Sequence, residues 1–237
     1  YKHFKIFLIP KKNTMKNYTV SVKSINHVTH DVLRIITEKP EGFNFVSGQA
    51  DNISINKSGW LNEERPFTFT NLPTNDFLEF MIKTYPEHKG LTNELLHLKP
   101  NDELVLHGVY GTINYKGEGV FIAGGAGITP FISIFRNLKA KHQIGNNKLV
   151  FANKTKVDII LENEFKELLG DAFVNILSDE HIEGYHYGQI TEEFLKVNIA
   201  DFNQQFYICG PPPMIKAVEE QLIHLGVHKD HITKELF

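Results

Sequence analysis

A chain of 237 residues with a single cysteine cannot close an internal disulfide, nor supply a four-cysteine iron–sulfur cluster or structural zinc site. A net charge of −3 without a long basic block argues against nucleic acid as the main partner, and no apolar run is long enough for a membrane span. The length allows one large domain or two small ones, each with its own core.

The opening "YKHFKIFLIPKKNT" has an apolar run too short for a signal peptide, so residues 1–14 are read as an extension or tag outside the fold. A cytoplasmic protein with no membrane association is the simplest expectation. From Met15 to about Tyr115 the chain is made of short strand patterns: "YTVSVKSINHV", "DVLRIITEK", "ADNISINK", "RPFTFTN", "FLEFMIKTY" and "DELVLHGV". Pro, Gly, Asn and Asp separate them, which predicts a small antiparallel barrel or sandwich. One helix is expected among them, "GLTNELLHL", with Thr92 as its cap and Leu91, Leu95, Leu96 and Leu98 on its buried side.

After Lys116 the rhythm changes. "GVFIAGGAGIT" is a strand running into a glycine turn, and "PFISIFRNLKAKH" has the apolar stripe of a helix. "KLVFANKT", "AFVNILSD" and "FYICG" follow as strands, alternating with the helices "LENEFKELLG", "TEEFLKV" and "MIKAVEEQLIHLG". Such alternation predicts a parallel α/β domain, with "INYKGEG" as the boundary between residues 15–115 and 116–237. Gly226 is expected to end the last helix. It separates His224 from His228 and His231, so these are read as surface histidines rather than metal ligands.

Two turns carry the chemical interest. In "GGAGITP" a strand ends in small residues, and a helix start follows, where backbone N–H groups and the dipole favour phosphate. The pattern lacks the last glycine of G-x-G-x-x-G, with Pro130 in its place, and a tight turn without a ligand fits the same residues. The second turn, "CGPPPM", places the only cysteine, Cys209, at the end of another strand. Its prolines suit a first helical turn. Both turns fall at carboxyl ends of parallel strands, the rim where nucleotides bind in such sheets. Lys154 and Lys156, after the next strand, lie where a 2′-phosphate could sit, or are solvated loop lysines.

Taken together these segments resemble the ferredoxin–NADP reductase superfamily of flavoenzymes. "RPFTFT" is similar to its Arg-x-Tyr-Ser flavin motif and "KGLTNEL" to its flavin-pyrophosphate motif. "FVSGQA" and "GVYG" resemble two further stretches, and "GGAGITPF" and "CGPPPM" its two nicotinamide-nucleotide motifs. The resemblance spans Met15 to Phe237 with the motifs in family order. It implies an antiparallel FAD-binding β-barrel followed by a parallel α/β domain binding NAD(P). It also implies FAD rather than FMN, with NADPH or NADH as co-substrate.

By position, the resemblance assigns Arg65 to the flavin pyrophosphate, and Pro66 and Phe67 to the isoalloxazine, Phe67 stacking without the family's usual hydroxyl. Thr68 stands for the serine near flavin N5. Backbone around Ile82 and Lys83 would line the flavin, and Gly90, Leu91 and Thr92 would bind its pyrophosphate. Gly125, Gly127, Thr129 and Pro130 would hold the nicotinamide nucleotide with Gly210, Pro211 and Met214. Cys209 would lie beside the nicotinamide, Glu235 would complete the site, and Phe237 would cover the flavin. Thr68, Cys209 and Glu235 are the expected reaction-centre residues. A catalytic-nucleophile role for Cys209 lacks a Cys–His signature. The implied activity passes electrons to a separate carrier such as ferredoxin or flavodoxin, or to an oxygenase component. The alternatives are a reductase of free flavin and a non-catalytic flavin- or nucleotide-binding subunit.

Overall fold

The computed structural model describes residues 17–111 and 113–236. Six antiparallel strands come first: β1 (Tyr18–His27), β2 (Val32–Glu38), β3 (Ala50–Ile55), β4 (Arg65–Thr68), β5 (Phe77–Lys83) and β6 (Glu103–Tyr110), in the order β4-β3-β6-β1-β2-β5. All six strand patterns expected from the sequence are present. The two edge strands of this sheet are drawn together by an antiparallel bridge between Phe69 and Phe80 and by Thr70 N donating to Glu79 O at 2.8 Å. The sheet therefore curls around an apolar core that includes Val20, Ile35, Ile53, Phe69, Phe80 and Leu104.

The helix expected in "GLTNELLHL" is a short α1 (Leu91–Glu94) that tightens into a 3₁₀ turn at Leu95–His97. Its N-cap is Gly90, with no side-chain cap bond, so Thr92 does not play the expected capping role. Leu91 and Leu95 are buried as expected, because the barrel end needs apolar cover there.

The second sheet is parallel. Its strands are β7 (Gly119–Gly124), β8 (Lys148–Asn153), β9 (Phe173–Leu177), β10 (His186–Tyr187), β11 (Gln205–Gly210) and β12 (Ile232–Leu236), in the order β10-β9-β8-β7-β11-β12. Helices α2 (Thr129–Ala140), α3 (Glu162–Leu169), α4 (Glu192–Asn198) and α5 (Pro212–His224) cover it. β7 is buried along its whole length, Phe121 and Ala123 facing one core and Val120 and Ile122 the other. Burial on both faces is what makes a parallel strand read as a continuous apolar run. α5 starts at Pro212 with prolines in its first turn, and Gly226 follows its end at φ +92°. The short β10 and the final β12 were not expected. β12 holds Thr, Lys and Glu in succession, without an alternating pattern, and becomes a strand by pairing with β11.

The connector between the sheets is held from the second one. The Tyr207 hydroxyl accepts from Lys116 N and donates to Gly117 O, both at 2.8 Å, while its ring stacks on Phe121. The two halves also share a core, since Val32, Met81 and Ile113 pack into the apolar cluster around α2. Among the described residues, no helix is long and apolar enough to cross a membrane.

Candidate functional site

β7 and β11 are neighbours, so the turns that follow them meet at the carboxyl rim of the parallel sheet. The two turns are in van der Waals contact. A Cβ on Gly127 would lie 2.3 Å from the Cys209 carbonyl oxygen and 2.6 Å from Gly210 Cα, so glycine is obligatory there. One on Gly124 would lie 2.5 Å from Met214 Sδ, which assigns Met214 to packing the two turns together. Gly125 differs: its φ is +52° and the space beside it is open, leaving its backbone approachable.

Thr129 and Pro130 begin α2, and both are buried. The Thr129 hydroxyl donates to Ala126 O at 3.0 Å, so this side chain shapes the turn and leaves ligand contacts to the backbone of residues 125–127. Pro211 is exposed beside Gly210.

Cys209 sits at the end of β11 between Ala123 on one side and Glu235 on the other. It is fully buried, and burial followed by the neighbouring Glu235 carboxylate pushes its thiol well up. The sulfur therefore stays protonated near neutrality, which disfavours a nucleophilic role. Glu235 Oε2 accepts from Ile113 N at 3.3 Å, tying the rim to the segment after β6. Phe237 lies outside the described residues.

On the antiparallel side, β4 is the sheet edge, which is why Pro66 is tolerated in it. Arg65 is half exposed, its Nη1 donating to Glu64 O at 2.7 Å. Phe67 is half-buried against the barrel core. Thr68 is buried, and its hydroxyl has no hydrogen-bond partner among the described residues. A buried hydroxyl without a partner is costly, and a polar ligand atom beside β4 would satisfy it. Ile82 points into the barrel core and Lys83 Nζ bonds Asp31 Oδ2 at 2.6 Å, so only their backbone is available to line a ligand. Leu91 is likewise spent on the core. At Gly90 an added Cβ would meet nothing within 4 Å, which leaves room for a large anion at the start of α1. The orphaned Thr68 hydroxyl and the open Gly90 both fit FAD.

Two residues near the rim were not singled out from sequence. Asp51 on β3 is fully buried. Its Oδ1 accepts from His107 N and Gly108 N at 2.8 and 2.9 Å, and its Oδ2 has no partner among the described residues. Burial, outweighing those two bonds, raises its carboxyl. A charged residue between Ala50 and Asn52, in a strand whose buried apolar positions are Ala and Ile, was the available signal. Tyr110, the aromatic of "GVYG", donates to Asn52 Oδ1 at 2.9 Å. Its phenol is raised by burial and by the carboxylates of Glu235, Asp51 and Glu64.

The histidines that end the chain do not form one group of metal donors. His224 bonds Glu192, and His228 lies 3.4 Å from Asp230. His30, Asp31 and Asp158 do converge, across the two halves of the molecule. Lys83 already balances Asp31 there, and Thr155 holds Asp158 through its backbone N–H and its hydroxyl. Of the two loop lysines, Lys154 is exposed. Lys156 places its Nζ 5.3 Å from the Tyr185 ring centre, and its backbone N–H donates to Glu180 Oε2 at 2.7 Å.

Comparison with known proteins finds both kinds of domain in the chain. An FAD-binding domain family matches residues 17–157 and an oxidoreductase NAD-binding domain family matches residues 121–220. The chain is 33% identical over 242 residues to the reductase component of propane 2-monooxygenase from Rhodococcus jostii, covering 91% of this chain and 62% of that protein. It is 31% identical over 222 residues to NADH-cytochrome b5 reductase 2 of Mycosarcoma maydis, covering 84% and 63%. It thus spans somewhat under two thirds of the length of these two relatives. A ferredoxin NADP+ reductase from Neisseria gonorrhoeae, solved with FAD and NADP, superposes with a TM-score of 0.82 at 19% identity, covering 94% of this chain and 99% of that one.

Proposed function

Since the chain belongs to the ferredoxin reductase-like flavoenzymes, with an FAD-binding domain followed by an NAD-binding domain, we propose that it is an NAD(P)H-dependent reductase. In this reading electrons leave for a separate carrier, a ferredoxin, a flavodoxin or an oxygenase component. The domains divide at residues 115/116, and the protein works in the cytoplasm. The observation that carries the reading is the rim, where Gly127 presses on the Cys209 carbonyl and Cys209 stands between Ala123 and Glu235.

Bound FAD would supply the redox chemistry, exchange of two electrons with a dihydronicotinamide and of single electrons with a carrier. The chain supplies position. Arg65 pairs with the flavin pyrophosphate through its fork of donors, and the backbone at Gly90, Leu91 and Thr92 completes that contact. Phe67 provides a stacking face, and the Thr68 hydroxyl offers its unspent hydrogen bond beside the reacting edge. The backbone at Gly125 and Gly127 receives the nucleotide phosphates. Cys209, small and protonated, lets the nicotinamide ring approach closely, while Glu235 places negative charge where positive charge develops on that ring. Burial at the rim excludes water from this contact. Phe237 is proposed to cover the flavin face.

An anaerobic spectrum of the purified protein, followed by addition of each nucleotide, tests the reading. A bound-flavin band that bleaches rapidly supports it. Colourless protein that oxidises NAD(P)H only with added flavin would assign it to the free-flavin reductases. A bound flavin that neither nucleotide reduces would refute the mechanism and leave a binding subunit.

A further inference from the structure

We infer that Glu79 and Arg136 are positioning residues for this reaction: the chain of ion pairs built on the buried Glu79 locks the two domains at the angle that brings the cofactor rings together. The inference rests on the reductase reading above and adds to it how the domain angle is set.

β5 alternates, with Leu78, Phe80 and Ile82 in the barrel core and Glu79 and Met81 on the opposite face. That face would be solvated in an isolated barrel, yet Glu79 is 1% exposed because α2 covers it. α2 meets it through Ser133 and Arg136, one helical turn apart. The Ser133 hydroxyl donates to Asn71 O at 3.0 Å, and Arg136 Nη1 donates to Thr70 O at 3.0 Å and to Glu79 Oε1 at 2.6 Å. The remaining edge of the guanidinium forks onto Glu164 of α3, at 2.6 and 2.8 Å. On the far side Arg34 of β2 bonds Glu79 Oε2 through Nε at 2.6 Å, and Thr70 Oγ1 donates to Glu79 Oε1 at 2.8 Å. Two guanidinium groups and two carboxylates thus alternate from β2 through β5 and α2 to α3, and their charges balance.

Such a chain adds little net stability over an apolar contact of the same volume, because both charges lose their water. Planar, two-pronged bonds are directional, however, whereas the apolar contacts of Val32, Met81 and Ile113 can slide. The location gives that directionality a use. Arg136 lies seven residues after Thr129, about 10 Å along α2 from the glycine turn. Glu79 lies three residues before Ile82, about 10 Å along β5 from the flavin-lining end. On a lever of that length a rotation of about 6° displaces the rim by about 1 Å, enough to cost on the order of 100-fold in rate.

The test uses the FAD-loaded full chain and the double variant Glu79→Gln/Arg136→Met, which removes both charges and so avoids leaving one buried alone. Arg136→Lys, which keeps the charge but not the fork, is the second variant should the first fail to fold. Expected are retained FAD, an NAD+ Kd within threefold of the original, flavin reduction slowed at least tenfold, and loss of the long-wavelength charge-transfer absorbance of the stacked rings. Calorimetry of the same variants should split one unfolding transition into two. Unchanged reduction rate, charge-transfer band and single transition in either folded variant would overturn the inference while leaving the reductase reading intact. If the unmutated protein is not reduced by either nucleotide, the reductase reading fails instead, and an unsplit transition would then overturn the domain lock as well.

Discussion

Replacing Gly127 by alanine isolates the contact on which the rim depends. The added Cβ would fall 2.3 Å from Cys209 O, 2.5 Å from Cys209 C and 2.6 Å from Gly210 Cα. All three are backbone atoms of a buried strand end, so no flexible side chain can yield, and the turns must separate by about an ångström to reach ordinary contact. Gly127 is not among the positive-φ glycines, so the cost is steric and not conformational. Overpacking of this kind costs about 3 kcal/mol, offset by a few tenths gained from stiffening the unfolded chain. For a chain of this size that is a fall in Tm of about 6–12 °C. Two further alanines separate the causes. Gly125→Ala meets no atom but has φ +52°, and should cost about 1 kcal/mol. Gly90→Ala has neither problem and should leave the apoprotein Tm unchanged while loosening FAD. Thermal unfolding of the three apoproteins checks the order, and a Gly127→Ala midpoint within a degree of the original would refute the argument from turn packing.

Asp51→Asn should stabilise the apoprotein by ~1 kcal/mol at pH 8, since it removes the charge of a carboxylate whose ionised form burial disfavours. The folded carboxyl is raised, so the stability it contributes is present at low pH and lost as pH rises through its folded value. The advantage of asparagine should therefore vanish in urea titrations at pH 3. Thr68→Ala and Cys209→Ala should each slow flavin reduction at least tenfold with little change in nucleotide Kd; stopped-flow reduction at the original rate would remove them from the mechanism. NADH should outpace NADPH at least tenfold. Glu180 receives the Lys156 N–H and the Asp179 N–H bonds Lys154 O, which places two acidic residues beside the β8 turn where a 2′-phosphate would lie. Equal rates with the two coenzymes, or no narrowing of the gap in Asp179→Asn/Glu180→Gln, would contradict this.

Local pattern carried most of the fold. Apolar spacing in "YTVSVKSI" and the β-forming residues of "FLEFMIK" marked antiparallel strands, because a side chain's direction along a strand follows from sequence spacing alone, and "GVFIAGG" marked a strand ending in a glycine turn. The two turns of the candidate site were legible where backbone chemistry demands a residue type, as at Gly127, Gly210 and the prolines opening α5. β12 was not legible as a strand, since "ITKEL" has no strong pattern and gains its ladder only from β11. Thr92 was misread as a cap because the helix start is set by how Leu91 and Leu95 reach the barrel core.

Residue type and spacing therefore encode the two glycine turns, the family's motifs and the element order apart from β10 and β12. Which distant groups meet is set by tertiary packing. It leaves the buried Thr68 hydroxyl and one oxygen of the buried Asp51 carboxylate without partners among the described residues, and it turns the Thr129 hydroxyl onto its own turn. It also brought Arg136 onto Glu79, 57 residues away in the chain. Spacing along a strand or helix constrains neighbours within a few residues. Contacts between two sheets depend on how their cores dock, and no local pattern encodes that angle.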